Sequence, residues 1–140
     1  MTRTRRCRNL TLALAALAAL GAAGCRAPEG PAERYRRFAE AARGGRAAEV
    51  WAMLSQGSRR ALSQEGEGLA GKVPNPAVDL SGPELVLGDL APTAPRVKSV
   101  TVVRESGDQA VVAVEDEGGA RGEVTLVREG GEWRVRLPGG

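Results

Sequence analysis

The chain has 140 residues, 42% of them hydrophobic, with 20 basic and 17 acidic side chains, no histidine and two cysteines. That length gives one domain rather than two. With no histidine, and with Cys7 and Cys25 as its cysteines, the chain beyond residue 25 offers no Cys/His metal set, internal disulfide, Ser-His-Asp triad or Cys-His pair.

Residues 1–9, MTRTRRCRN, contain four arginines and no acid, and residues 10–20, LTLALAALAAL, are apolar but for one threonine. A charged start, a short apolar core and a small-residue site, GAAGC, make an export signal. The apolar run falls short of the ~20 residues that a membrane span needs. Ala22-Ala23-Gly24-Cys25 resembles the bacterial lipobox, with Ala22 where leucine is usual. The resemblance implies a signal peptide over 1–24, cleavage between Gly24 and Cys25, and a diacylglycerol thioether on Cys25. The freed amine is open to acylation as well, so the membrane is the first expected partner, through lipid on Cys25. The expected location is the bacterial cell envelope, facing the periplasm or the exterior. The alternative is ordinary cleavage after Ala22-Ala23-Gly24, with Cys25 incidental. Loss of Arg3, Arg5, Arg6 and Arg8 leaves 16 basic against 17 acidic side chains, all of the latter beyond Cys25. A net charge near −1 does not point to a nucleic acid.

Residues 25–31 read as the lipidated cysteine and a tether, and 32–138 as a single α+β domain. A helix is predicted over 31–43, with Pro31 at its first position and Tyr35, Phe38, Ala39 and Ala42 on one face. Glu33–Arg37 and Arg36–Glu40 are spaced to pair on the other face, and Gly44-Gly45 ends it. A second helix, about 46–55, carries Ala47, Val50, Trp51 and Leu54. Ser58 is expected to start a short third turn with Ala61 and Leu62. Residues 65–95, rich in Gly and Pro, read as an irregular connection with one helical turn after Ser81-Gly82-Pro83-Glu84. Four strands follow, at 96–105, 109–115, 121–128 and 132–137, joined by turns short enough for an antiparallel meander. Glu115-Asp116-Glu117-Gly118-Gly119 reads as a solvated hairpin turn rather than a calcium loop. Helices first and strands after give an α+β fold, with the N-terminal helices packed on a curved β-meander.

PAERYRRFAEAARGGRAAEVWAMLS, followed by VKSVTVVRESGDQAVVAVE and VTLVREGGEWRVRLP, resembles the nuclear transport factor 2-like, cystatin-like superfamily, and within it small bacterial lipoproteins. The resemblance spans about residues 31–138. It implies a curved sheet wrapped on helices, forming a cone that often holds a pocket.

Four residues are candidates for such a pocket or for the core: Tyr35, Phe38, Trp51 and Trp133. Some superfamily members are isomerases or dehydratases with pocket Asp, Tyr or His. Here Tyr35 is the lone tyrosine and no acid–base partner can be assigned to it. No catalytic residue, metal site or cofactor is therefore expected. Arg34, Arg36 and Arg37 lie close to the tether and could meet anionic headgroups, or pair with Glu33 and Glu40 as a solvated face. The leading expectation is a non-enzymatic, lipid-anchored module that binds an envelope protein or a small apolar ligand, or an accessory domain that supports an assembly through the exposed edge of its meander. The alternative is a small isomerase- or dehydratase-like enzyme using a pocket centred on Tyr35.

Overall fold

The computed structural model describes residues 27–70 and 96–140. Helix α1 (Pro31–Arg43) has the predicted bounds, with Pro31 in its first turn. Its end is a Schellman motif. Arg46 N donates to Ala41 O at 2.9 Å and Gly45 N to Ala42 O at 3.1 Å, with Gly45 in the left-handed region at φ 65°. Of the apolar face predicted from spacing, Phe38 and Ala42 are buried in the core and Tyr35 and Ala39 are half-buried, while Ala41, not on that face, is buried with them.

Helix α2 (Ala47–Met53) is shorter than the expected 46–55. Leu54 leaves the helix in an extended conformation and forms a parallel bridge to Val135. Ser55 N extends it, donating to Val135 O at 2.8 Å. A tertiary contact thus ends α2 where periodicity alone would continue it.

Helix α3 (Gln56–Ala70) corrects the expectation of a short turn starting at Ser58 and an irregular chain from residue 65. Gly57, Gly66 and Gly68 lower its intrinsic helix propensity. Its start is fixed by a local serine cap and by Glu129 and Leu137, distant in sequence. Ser55 Oγ accepts from Ser58 N at 3.1 Å and lies 2.8 Å from Ser58 Oγ, and that hydroxyl accepts from Leu137 N at 2.8 Å. The Glu129 carboxylate accepts from Gln56 N at 3.0 and 3.1 Å, placing a negative charge at a helix N-terminus that has no acid of its own. The remainder of the predicted connection, 71–95, with its turn at Ser81–Glu84, lies outside the described residues.

The four strands are β1 (Val97–Ser106), β2 (Gln109–Asp116), β3 (Arg121–Glu129) and β4 (Glu132–Arg136). They form one open antiparallel sheet in the order β1-β2-β3-β4. Each boundary falls within a residue of its sequence-based expectation, because period-two alternation and glycine turns mark both ends. Gly130 and Gly131, at φ 60° and 83°, make the two-residue turn between β3 and β4, a backbone that L side chains adopt at a cost. The expected turn after β2 is present, with Ala120 N donating to Asp116 Oδ1 at 2.9 Å.

Register places Val102, Val112 and Val124 in one row and Ala110, Leu126 and Val135 in another. All of these but Val102 pack toward the helices, and Val112, Leu126 and Val135 join Phe38, Val50, Leu54 and Trp133 in the core. On the outer edge of β1, Arg36 from α1 donates to Val100 O at 3.1 Å. That edge carries two register shifts and exposes Val102 and Val103, at 39% and 56%. Among the described residues no helix is long and apolar enough to cross a membrane.

Candidate functional site

Helix α1 does not close fully on the sheet from Tyr35 onward. A cleft of about 300 Å³ remains between Tyr35, Phe38, Ala39 and Ala42 on the helix and Val97, Val114, Gly122 and Val124 on the strands. Helical spacing sets the first wall and strand alternation the second, so nearly every lining side chain is apolar. Gly122 opens the floor: a Cβ placed there would touch nothing within 4 Å. A wider and more polar hollow of about 830 Å³ adjoins it across Tyr35, Phe38 and Val124, and takes in Gln109, Glu123 and Arg136. We place the candidate site in the smaller cleft, because apolar walls are what an apolar ligand requires.

The structure sorts the four sequence candidates into two groups. Tyr35 and Phe38 line the cleft, with ring centroids 5.9 Å apart. Trp133 is a core residue, 3% exposed, with the Arg128 guanidinium 4.5 Å from its ring centroid. Trp51 is half-buried and packs against the same core. Gly24 and Cys25 lie outside the described residues. Val114, Gly122 and Val124 complete the site but were not singled out from sequence. Their alternation was visible, whereas the cleft depends on how far α1 stands off the strands.

Charged groups at the cleft mouth are already engaged. Asp116 holds the β2–β3 turn through Ala120 N, and Arg121 Nε lies 2.9 Å from Glu115 Oε2. The hydrogen bond from Lys98 holds the Glu115 carboxyl below the usual carboxylate range, and Arg121 adds to the effect. Among the described residues no hydrogen bond joins the Tyr35 hydroxyl to a carboxylate, and no three Asp, Glu, His or Cys side chains cluster to hold a metal.

The arginines near the tether are paired differently from the sequence expectation. Arg36 pairs with Glu33 at 3.3 Å, not with Glu40. Arg37 Nε lies 3.2 Å from Glu29, not Glu33, and Arg34 Nε lies 2.9 Å from Glu29 and reaches Glu132 at 3.8 Å through its terminal nitrogen. The i, i+4 pair of Glu33 with Arg37 lost to Glu29, from the chain just before α1, and that of Arg36 with Glu40 lost to the i, i+3 pair with Glu33.

Burial pushes the Tyr35 hydroxyl above its ordinary pKa. Tyr35 is the single tyrosine, so absorbance titration reports on it alone. The folded midpoint is expected above about 10, with unfolded chain titrating near that value. The sign follows: the folded state holds the proton more tightly, so its advantage is complete below about pH 10 and is lost as pH rises through the folded midpoint. A folded midpoint at or below 10 contradicts the burial. Tyr35→Phe should shift stability by about 1 kcal/mol or less, as expected for a lost hydroxyl without a buried partner.

No family model matches the chain, and no curated protein matches it.

Proposed function

We propose that this chain is a lipid-anchored protein of the bacterial envelope whose domain binds a small apolar ligand without chemical change. The observation that carries the binding role is the apolar cleft between α1 and the sheet. The ionisable groups at its mouth, Asp116 and Arg121, are spent on a turn and an ion pair. An acid–base reaction needs a donor and an acceptor set against one substrate, and Tyr35 has no such partner assigned. The helices-on-meander arrangement supports, at the level of fold class, the nuclear transport factor 2-like cone as the scaffold. The sequence around Cys25 supports the anchor, because a short apolar segment ending in a small-residue site before cysteine is the pattern that lipid attachment uses.

Two measurements test the two halves. Cys25→Ser should abolish palmitate labelling and leave the uncleaved precursor, while Cys7→Ser should change neither. Undiminished labelling in Cys25→Ser removes the anchor. For the cleft, the uncharged dye Nile red should brighten on titration with the purified protein. Gly122→Phe places a ring in open space, so it should keep the melting temperature and lose most of that signal. Equal dye binding by a folded Gly122→Phe protein shows that the ligand site lies elsewhere. The isomerase-like reading centred on Tyr35 would return if Tyr35→Phe folded, stayed anchored and failed to rescue a deletion strain.

A further inference from the structure

The chain just before α1 is pinned to the domain. Glu29 contacts Arg34 at 2.9 Å and Arg37 at 3.2 Å, and its side chain is 17% exposed. Arg34, 11% exposed, continues to Glu132 on β4. Neither Arg34 Nε nor Glu29 Oε1 makes a hydrogen bond of good angle, so the attraction is coulombic rather than directional. Ala27, Pro28 and Glu29 line one side of a hollow whose other side includes Gly131 and Glu132, at the β3–β4 turn. Four residue steps separate Glu29 from Cys25, at most about 14 Å of extended chain.

The cleft mouth lies at the other end. Strand β3 runs from Arg121, at the cleft, to Glu129, beside the tether, about 27 Å at a strand's rise. Helix α1 runs the opposite way, from Pro31 by the tether to Ala39 and Ala42 in the cleft wall, so both elements put the tether at one end and the far cleft wall at the other. A tether of ~14 Å cannot bring both ends to one lipid surface unless the domain lies on its side. Of the described surface, the exposed large apolar side chains are Val102 and Val103 on the β1 edge.

We propose that the Glu29 clamp holds the domain end-on to the bilayer, with the β1–β2 and β3–β4 turns toward the lipid and the cleft mouth toward the aqueous space. The cleft would then load from a soluble donor or partner, not from the membrane that anchors it. This posture rests on the anchoring at Cys25 proposed above.

The test uses the full lipidated protein in vesicles of phosphatidylethanolamine and phosphatidylglycerol that carry a headgroup energy-transfer acceptor. Palmitate on Cys25 is verified on the same sample. A donor dye is attached through Ser106→Cys, at the β1–β2 turn, or Glu117→Cys, at the β2–β3 turn; both positions are exposed. Transfer from 106 should exceed that from 117 several-fold. A Gly-Ser linker inserted between Arg26 and Ala27 should level the two, and Glu29→Gln should narrow the gap while palmitate labelling persists. Equal transfer from both sites in palmitate-bearing protein overturns the posture and leaves the anchor standing. An unchanged gap in folded Glu29→Gln overturns the clamp. Absence of palmitate removes the anchor, and the posture falls with it.

Discussion

Trp133→Ala is expected to melt far below the parent domain or to fail to fold. Trp133 begins the inward alternation of β4 and is 3% exposed, in one cluster with Phe38 and Val50. Truncating a buried tryptophan costs about 3–5 kcal/mol, through lost transfer energy and the void left behind. A domain of this size holds about 5–15 kcal/mol in total. The stacked Arg128 guanidinium also loses its ring, and its remaining ion pair with Glu105, at 3.5 Å, is exposed and weak. Thermal unfolding followed by far-ultraviolet circular dichroism measures the effect. A melting temperature within a degree or two of the parent would show that Trp133 is not structural.

Leu54→Ala should come next, at about 2–5 kcal/mol. Leu54 is fully buried and forms the parallel bridge that brings the end of α2 against β4. Its side chain fills the core, while its backbone leads into the Ser55 cap of α3. Loss of the side chain should therefore loosen α3 as well as the core. Hydrogen exchange separates these effects: amides of α3 should lose protection at least as fast as those of β4. Destabilisation with α3 protection unchanged would show that the cap holds without Leu54. A variant as stable as the parent contradicts the packing.

Sequence legibility followed the range of the interactions. Helix α1 and all four strands were readable because their cues are local: Pro31 and Gly44-Gly45 at the helix ends, and alternation such as Trp133, Val135 and Leu137 along a strand. Helix α3 was readable only as a short turn from Ser58: the local cue, the Ser55 cap, lies three residues earlier, its other supports, Glu129 and Leu137, are distant in sequence, and its own glycines argue against it. The partners of Arg34 and Arg37 escaped because helical spacing does not reach them. Glu29 stands outside the helical register and Glu132 belongs to a strand. Within the candidate site, Tyr35 and Phe38 could be named from the apolar stripe of α1. Gly122 could not, since an empty Cβ position has meaning only once β3 is set opposite the helix.

The hydrogen bond from Arg36 to the Val100 carbonyl also bears on solubility. An uncovered sheet edge is a template on which another chain can add a strand. Here one guanidinium from α1, together with the bulges, occupies that template beside Val102 and Val103. The cover is in place only while α1 is docked. Partial opening that lifts α1 and leaves the meander intact therefore creates a sticky species before the chain unfolds. Loss of the protein on heating should steepen with concentration, and the safest stage of its life is after α1 has closed on the sheet.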